Sequence, residues 1–266
     1  MQIPALGLVK DPISALIDQD GDAVLALIIG VEGPSYRPVG AAMTIFADRV
    51  RAGTLSSGCV EGDISNHALD ALSAGSPRVL RYGKGSPFMD IQLPCGGGLE
   101  ILLVPNPDRR ALAELVSRRA ARQPCVLEVD CENGAMRVLD EGTTERDGEL
   151  FRVRYLPEIR FIVFGKGPEA STFSALVQSA GYPNLLLSPD GETLEAAARL
   201  GCETRHLVRQ DMPEGLDVDP WTAIILFFHD HDWEPPILKT ALESTAFYIG
   251  SQGSQRARDA RMLMLQ

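Results

Sequence analysis

With 266 residues the chain exceeds a typical single domain, so two domains with separate cores are expected. Hydrophobic residues make up 45% and charged residues 23%, the balance of a soluble globular protein, and the longest apolar runs, such as AIILFF at 223–228, are far too short to cross a bilayer. A net charge of −11, relieved only by SQRARDAR near the end, sets phosphate backbones aside, so neither membrane nor nucleic acid is an expected partner.

The opening stretch has no secretory pattern, and the five cysteines include no C-x-x-C pair, which points to reduced thiols in a cytoplasm. DPISALIDQ at 11–19 predicts a short helix, with Asp11 as N-cap and Pro12 where a missing amide proton costs nothing. AVLALIIGVEG at 23–33 predicts a buried strand. A strand pair over 41–47 and 50–58 turns at Asp48 and Arg49, and a helix from 61 closes at Gly75. Strands over 77–82 and 99–104, a helix over 106–122, and strands near 125–130 and 135–139 follow. The polar segment 140–149 reads as a hairpin or linker.

Near Pro157 the pattern changes to strand, glycine turn and helix, repeated to the end of the chain. Alternation of this kind implies a parallel sheet covered on both faces. The fold class expected is therefore α/β: residues 1–157 form a mixed α/β domain, and residues 158–266 a doubly wound, Rossmann-like domain.

GKGPEA at 165–170 gives G-x-G-x-x-A at the first strand-to-helix turn, with Gly165 and Gly167 at the fingerprint glycines and Ala170 at the third small position. A helix N-terminus there carries about half a unit of positive charge and favours a phosphate, although Glu169 puts a carboxylate in the same turn. NAD or NADP is the ligand this motif suggests, with an oxidoreductase as the runner-up function.

Two cysteines sit beside glycines. Cys59 follows Gly58 and precedes Val60-Glu61-Gly62-Asp63 at a helix start, where amides favour a thiolate and the two acids oppose it. Cys95 precedes Gly96, Gly97 and Gly98, a costly run unless the loop must approach a ligand or a neighbouring backbone. Soft thiolates in glycine turns suit a soft metal, and the other reading is a small buried residue in a tight turn. Two thiols alone do not make a zinc site, and His67 reads as surface or packing. HDHD at 229–232 follows an apolar strand at the carboxyl end of the expected sheet, where His229 and Asp230 suit a metal or a proton relay and Asp230 or Asp232 suit a helix cap.

Taken together, EGPSYRPVGAAMTI, GTLSSGCVEGDI, LPCGGGLEILL, FIVFGKGPEA, FFHDHDWEPPIL and YIGSQGSQRARDAR resemble the XdhC/CoxI family, the xanthine dehydrogenase accessory proteins. The resemblance implies a cytoplasmic, non-catalytic maturation chaperone that binds molybdenum cofactor, supports its sulfuration with a cysteine desulfurase, and passes it to a molybdenum hydroxylase of the xanthine dehydrogenase type. A homo-oligomer is expected as well. Cys59 and Cys95 match the family's two cysteine turns and become the expected metal contacts, with Ser57 standing in for one glycine. Arg37 in YRPVGAAM matches an arginine-proline loop, and its guanidinium suits a phosphate or pterin edge. Arg256, Arg258 and Arg261 are read either as anion or partner contacts or as a solvated face. The central expectation is that the two thiols converge on one cleft facing the second domain.

Overall fold

The computed structural model describes residues 11–56, 58, 60–83, 86, 96–228 and 232–264. The chain divides into two compact units, Met1–Pro157 and Glu158–Gln266.

In the first unit, β1 (Ala23–Glu32), β2 (Ala42–Phe46), β3 (Arg51–Gly53), β4 (Arg78–Gly83) and β5 (Gly98–Pro105) form an antiparallel sheet in the order β3-β2-β1-β5-β4. The unbroken apolar run of β1 follows from its central place, because both its faces are covered. Leu25, Leu27 and Ile29 enter one core with α1 (Pro12–Asp18), α3 (Arg109–Ala120) and a second sheet. Val24, Ala26 and Ile28 enter another, under α2 (Glu61–Ala74). A bulge between Ile28 and Gly30 shifts the register with β5 near the end of the strand.

The second sheet is β6 (Cys125–Asp130), β7 (Met136–Leu139), β8 (Glu145–Asp147) and β9 (Leu150–Tyr155), in the order β7-β6-β9-β8. Its outer face carries Glu128, almost wholly buried between Arg137 and Arg152. The polar segment 140–149 is thus a hairpin arm, with β8 pairing to β9. Neither β9 nor β12 (Glu203–His206) has a counterpart in the sequence expectations. The strand expected over 50–58 ends at Gly53, because the amides of Leu55 and Ser56 bond to the Glu61 carboxylate instead of a neighbouring strand.

The second unit is an all-parallel sheet. β10 (Arg160–Gly165), β11 (Asn184–Ser188), β12, β13 (Thr222–Phe227) and β14 (Tyr248–Ser251) take the order β12-β11-β10-β13-β14. α4 (Pro168–Ser179) and α5 (Gly191–Arg199) supply one covering core with Val163 and Leu186, and α6 (Glu234–Leu242) supplies the other with Phe164 and Leu226. The last helix, α7, is Gln255–Met264. The strand order reverses between β10 and β13, the topological switch point of a Rossmann-like sheet. Among the described residues no helix is long and apolar enough to cross a membrane.

Candidate functional site

The first sheet gathers three glycine-bearing segments at one end. β1 leaves it at Glu32, paired with Gly98 where β5 begins, and β4 leaves it at Gly83, also paired with Gly98. A Cβ on Gly97 would lie 2.1 Å from the Pro34 carbonyl oxygen, and one on Gly83 would lie 2.0 Å from that of Gly97. Gly97 is therefore glycine so that the segment after β1 can pass against the start of β5. Gly96 differs: its φ of 70° is left-handed, and a Cβ there would meet nothing within 4 Å. Of the two reasons the sequence offers for this run of glycines, close approach of a neighbouring backbone is the one that Gly97 satisfies.

The turn before α2 borders the same end. Tyr82, next to Gly83 and fully buried, donates its hydroxyl to Asp63 Oδ2 (2.7 Å) in the first turn of α2. Burial pushes the Tyr82 hydroxyl well above the usual tyrosine range, and the Asp63 carboxylate pushes it further. His67, one turn along, lies 3.5 Å from Asp63 and 3.8 Å from Asp70, and so sits in an acidic cradle on α2. Tyr82 and Asp63 were not legible as partners, since 19 positions separate them in the chain.

Glu61 carries the densest polar contacts here. One carboxylate oxygen accepts from Thr54 Oγ1 (2.5 Å) and from the amides of Leu55 (3.1 Å) and Ser56 (2.8 Å). The other accepts from Ser56 Oγ (2.6 Å) and from the amides of Gly58 (2.9 Å) and Val60 (3.2 Å). Burial pushes this carboxyl up, but the hydrogen bonds from Ser56, Thr54 and Gly58 outweigh it and bring the pKa down to about 2. Gly58 holds φ at 102°, which a residue with a side chain rarely adopts. Glu61 faces its own turn with both oxygens, and Gly58 shapes that turn.

Arg37 lies exposed on the segment leaving β1, where Ser35 Oγ donates to its carbonyl oxygen (2.7 Å), and among the described residues it makes no ion pair. Arg81, by contrast, joins Glu32 (2.7 Å) to Glu100 (2.6 Å) across the strands. Cys59, Cys95, His229 and Asp230 lie outside the described residues, as does the expected convergence of the two thiols. No group of three or more His, Cys, Asp or Glu side chains suited to a metal occurs among the described residues.

At the switch point of the second unit, packing accounts for Gly165 and a left-handed φ for Gly167. A Cβ on Gly165 would meet Phe227 Cβ at 2.7 Å and Ala170 Cβ at 2.8 Å. Gly167, at φ 94°, gives its amide to Thr193 Oγ1 (2.9 Å), whose hydroxyl passes on to Asp190 Oδ2 (2.5 Å). The Thr193 hydroxyl and amide hold the Asp190 carboxyl below its usual range. The Glu169 carboxylate comes within 3.5 Å of where a Cβ on Gly167 would stand. A pyrophosphate in this turn would face Glu169 and find one amide already used, so the nicotinamide reading loses its footing. The N-cap position of α6 is Trp233, whose own side chain makes no capping bond. Arg261 is held inside the unit, paired with the buried Glu234 and donating to the Gln252 carbonyl (2.5 Å), while Arg256 and Arg258 are exposed.

Family models for the XdhC and CoxI family and for the XdhC Rossmann domain match residues 16–83 and 161–266. The chain is 30% identical over 259 residues to PaoD, a molybdenum cofactor insertion chaperone of Escherichia coli, covering 97% of this chain and 75% of that one. The chain belongs to the XdhC and CoxI family. A second relative, from Bacillus subtilis and named as a probable xanthine dehydrogenase component, is 23% identical over 284 residues, 94% of this chain and 85% of its own. The fold is shared with a crystal structure from Bacillus halodurans described as a xanthine dehydrogenase, at TM-score 0.77 and 22% identity, covering 94% of this chain and 83% of that one. The XdhC Rossmann match spans the parallel sheet almost from its first strand, and the XdhC and CoxI match ends at Gly83, at the sheet end just described.

Proposed function

We propose that this protein is a non-catalytic chaperone that binds molybdenum cofactor as cargo, supports its sulfuration, and inserts it into a molybdenum hydroxylase of the xanthine dehydrogenase type. The observation that carries the reading is the similarity to the insertion chaperone PaoD over nearly the whole chain. The chemistry of the first sheet end supports it. Cargo with a dithiolene-held molybdenum, a polar pterin and a phosphate needs soft, hydrogen-bonding and cationic partners in one place. Cys59 and Cys95 follow Gly58 and precede Gly96 in sequence, the glycines of that end, and Arg37 stands exposed on the third segment. In this reading the thiols touch the metal and Arg37 takes the phosphate or the pterin edge. A cysteine desulfurase supplies the sulfur, and the client hydroxylase is the receiving partner in the cytoplasm.

The deciding experiment mixes the purified protein with molybdenum cofactor released from a hydroxylase, follows retention by pterin fluorescence and metal content, and then adds cofactor-free client. Wild type should retain cofactor and activate the client, and Cys59→Ala and Cys95→Ala should lose most of both. Absence of retention by wild type, with or without sulfide, would sink the proposal.

A further inference from the structure

The carboxylate of Glu61 sits where a bound anion would. The residue is 4% exposed, and the six donors to its carboxylate among the described residues are the amides of Leu55, Ser56, Gly58 and Val60 and the hydroxyls of Thr54 and Ser56. None of these is a cation. Each oxygen takes three of them, so the carboxylate is met symmetrically by neutral dipoles, the arrangement by which successive backbone amides bind phosphate. The residue also occupies the first turn of α2, where the helix end favours negative charge.

We propose that Glu61 is the resident anion of this turn: its carboxylate fills the nest of amides, fixes Thr54, Leu55, Ser56, Gly58 and Val60, and acts on cargo by positioning them rather than by touching it. This deepens the proposed function and rests on it for the cargo alone. The anionic part of any cargo must then bind away from these amides, which Glu61 already saturates. Glutamine is no substitute, because its amide NH2 would face two backbone N–H donors whichever way it turned, with only one hydroxyl able to accept from it.

Glu61→Ala vacates the nest and leaves room for formate. Amide exchange at Leu55, Ser56, Gly58 and Val60 should quicken by about tenfold or more in this variant, since the lost bonds are charge-assisted. Added formate should restore protection, and chloride at the same ionic strength should not. Glu61→Gln, close to the native volume, should lose protection at the same amides without rescue by formate. Retention of molybdenum cofactor should follow the amides, falling in both variants and returning with formate only in Glu61→Ala.

Unchanged exchange in Glu61→Ala, or equal rescue of both variants, overturns the resident-anion role. Amides protected again by formate while cofactor retention stays lost shows that the carboxylate itself touches cargo, and overturns the positioning role. If Glu61→Ala does not fold, the exchange pattern of Glu61→Gln decides in its place. A wild type that retains no cofactor removes the proposed function, and the exchange measurements still decide the nest.

Discussion

Gly97→Ala tests how the loops at the first sheet end are held. The new Cβ would lie 2.1 Å from the Pro34 carbonyl oxygen and 3.0 Å from that of Glu32, where carbon and oxygen ordinarily stay beyond about 3.3 Å. Both obstacles are backbone, so no rotamer change relieves them and the two segments must part by about 1 Å. Overpacking of this kind costs about 3 kcal/mol, which lowers the melting temperature of a unit this size by about 6–12 °C. Gly96→Ala is the matched control. Its Cβ meets open space, so only the left-handed φ is penalised, at about 1–2 kcal/mol. Circular dichroism melting of the full chain measures both variants, while tryptophan fluorescence, contributed only by Trp221 and Trp233, follows the second unit separately. Equal, small effects at the two positions would refute the close-approach argument and return the triple glycine to a role in binding.

Thr193→Val removes the hydroxyl that links Gly167 to Asp190 and should cost about 2 kcal/mol, read as a lower urea midpoint by tryptophan fluorescence. Tyr82→Phe leaves Asp63 without its 2.7 Å donor and should destabilise the first unit by about 1 kcal/mol in urea unfolding. Burial raises the folded pKa of both Tyr82 and Tyr155 above the ordinary 10, so the stability they contribute is complete below that pH and declines above it. Ultraviolet titration should show these two ionising only as the protein unfolds in alkali, with one lost from that phase in Tyr82→Phe. Glu128 has the opposite sign. The hydrogen bond from Arg137 depresses its carboxyl below the ordinary 4.5, so its contribution is present above that pH and lost as pH falls. Glu128→Gln should be less stable than wild type at neutral pH and lose less on acidification, as urea midpoints at several pH values will show.

Local signals in the sequence carried the fold where one residue's chemistry decides the outcome. Asp11 caps α1 and Gly75 closes α2 in the left-handed region, both as their residue types require. The alternation after Pro157 produced the Rossmann-like sheet because parallel strands buried on both faces leave long apolar runs. β12, of sequence ETRH, is a polar edge strand with no such run, and β9 alternates arginines with Phe151 and Val153 in a way that only its buried inner face explains. At the candidate site, Glu61 was visible as an acid near a cysteine, but nothing in the spacing tells whether a carboxylate looks outward to a ligand or back into its own turn. The triple glycine likewise hid two unlike positions, one wedged against Pro34 and one open.

β1 contributes to two cores at once. Because one strand is the common wall of two cores, a packing error on either side is felt by the other, and the sheet has little latitude to change. At its far end the segment that follows β1 is tethered by the close contact of the Pro34 and Glu32 carbonyls with Gly97. Exposed side chains there can change without disturbing the frame beneath, provided those backbone contacts are kept.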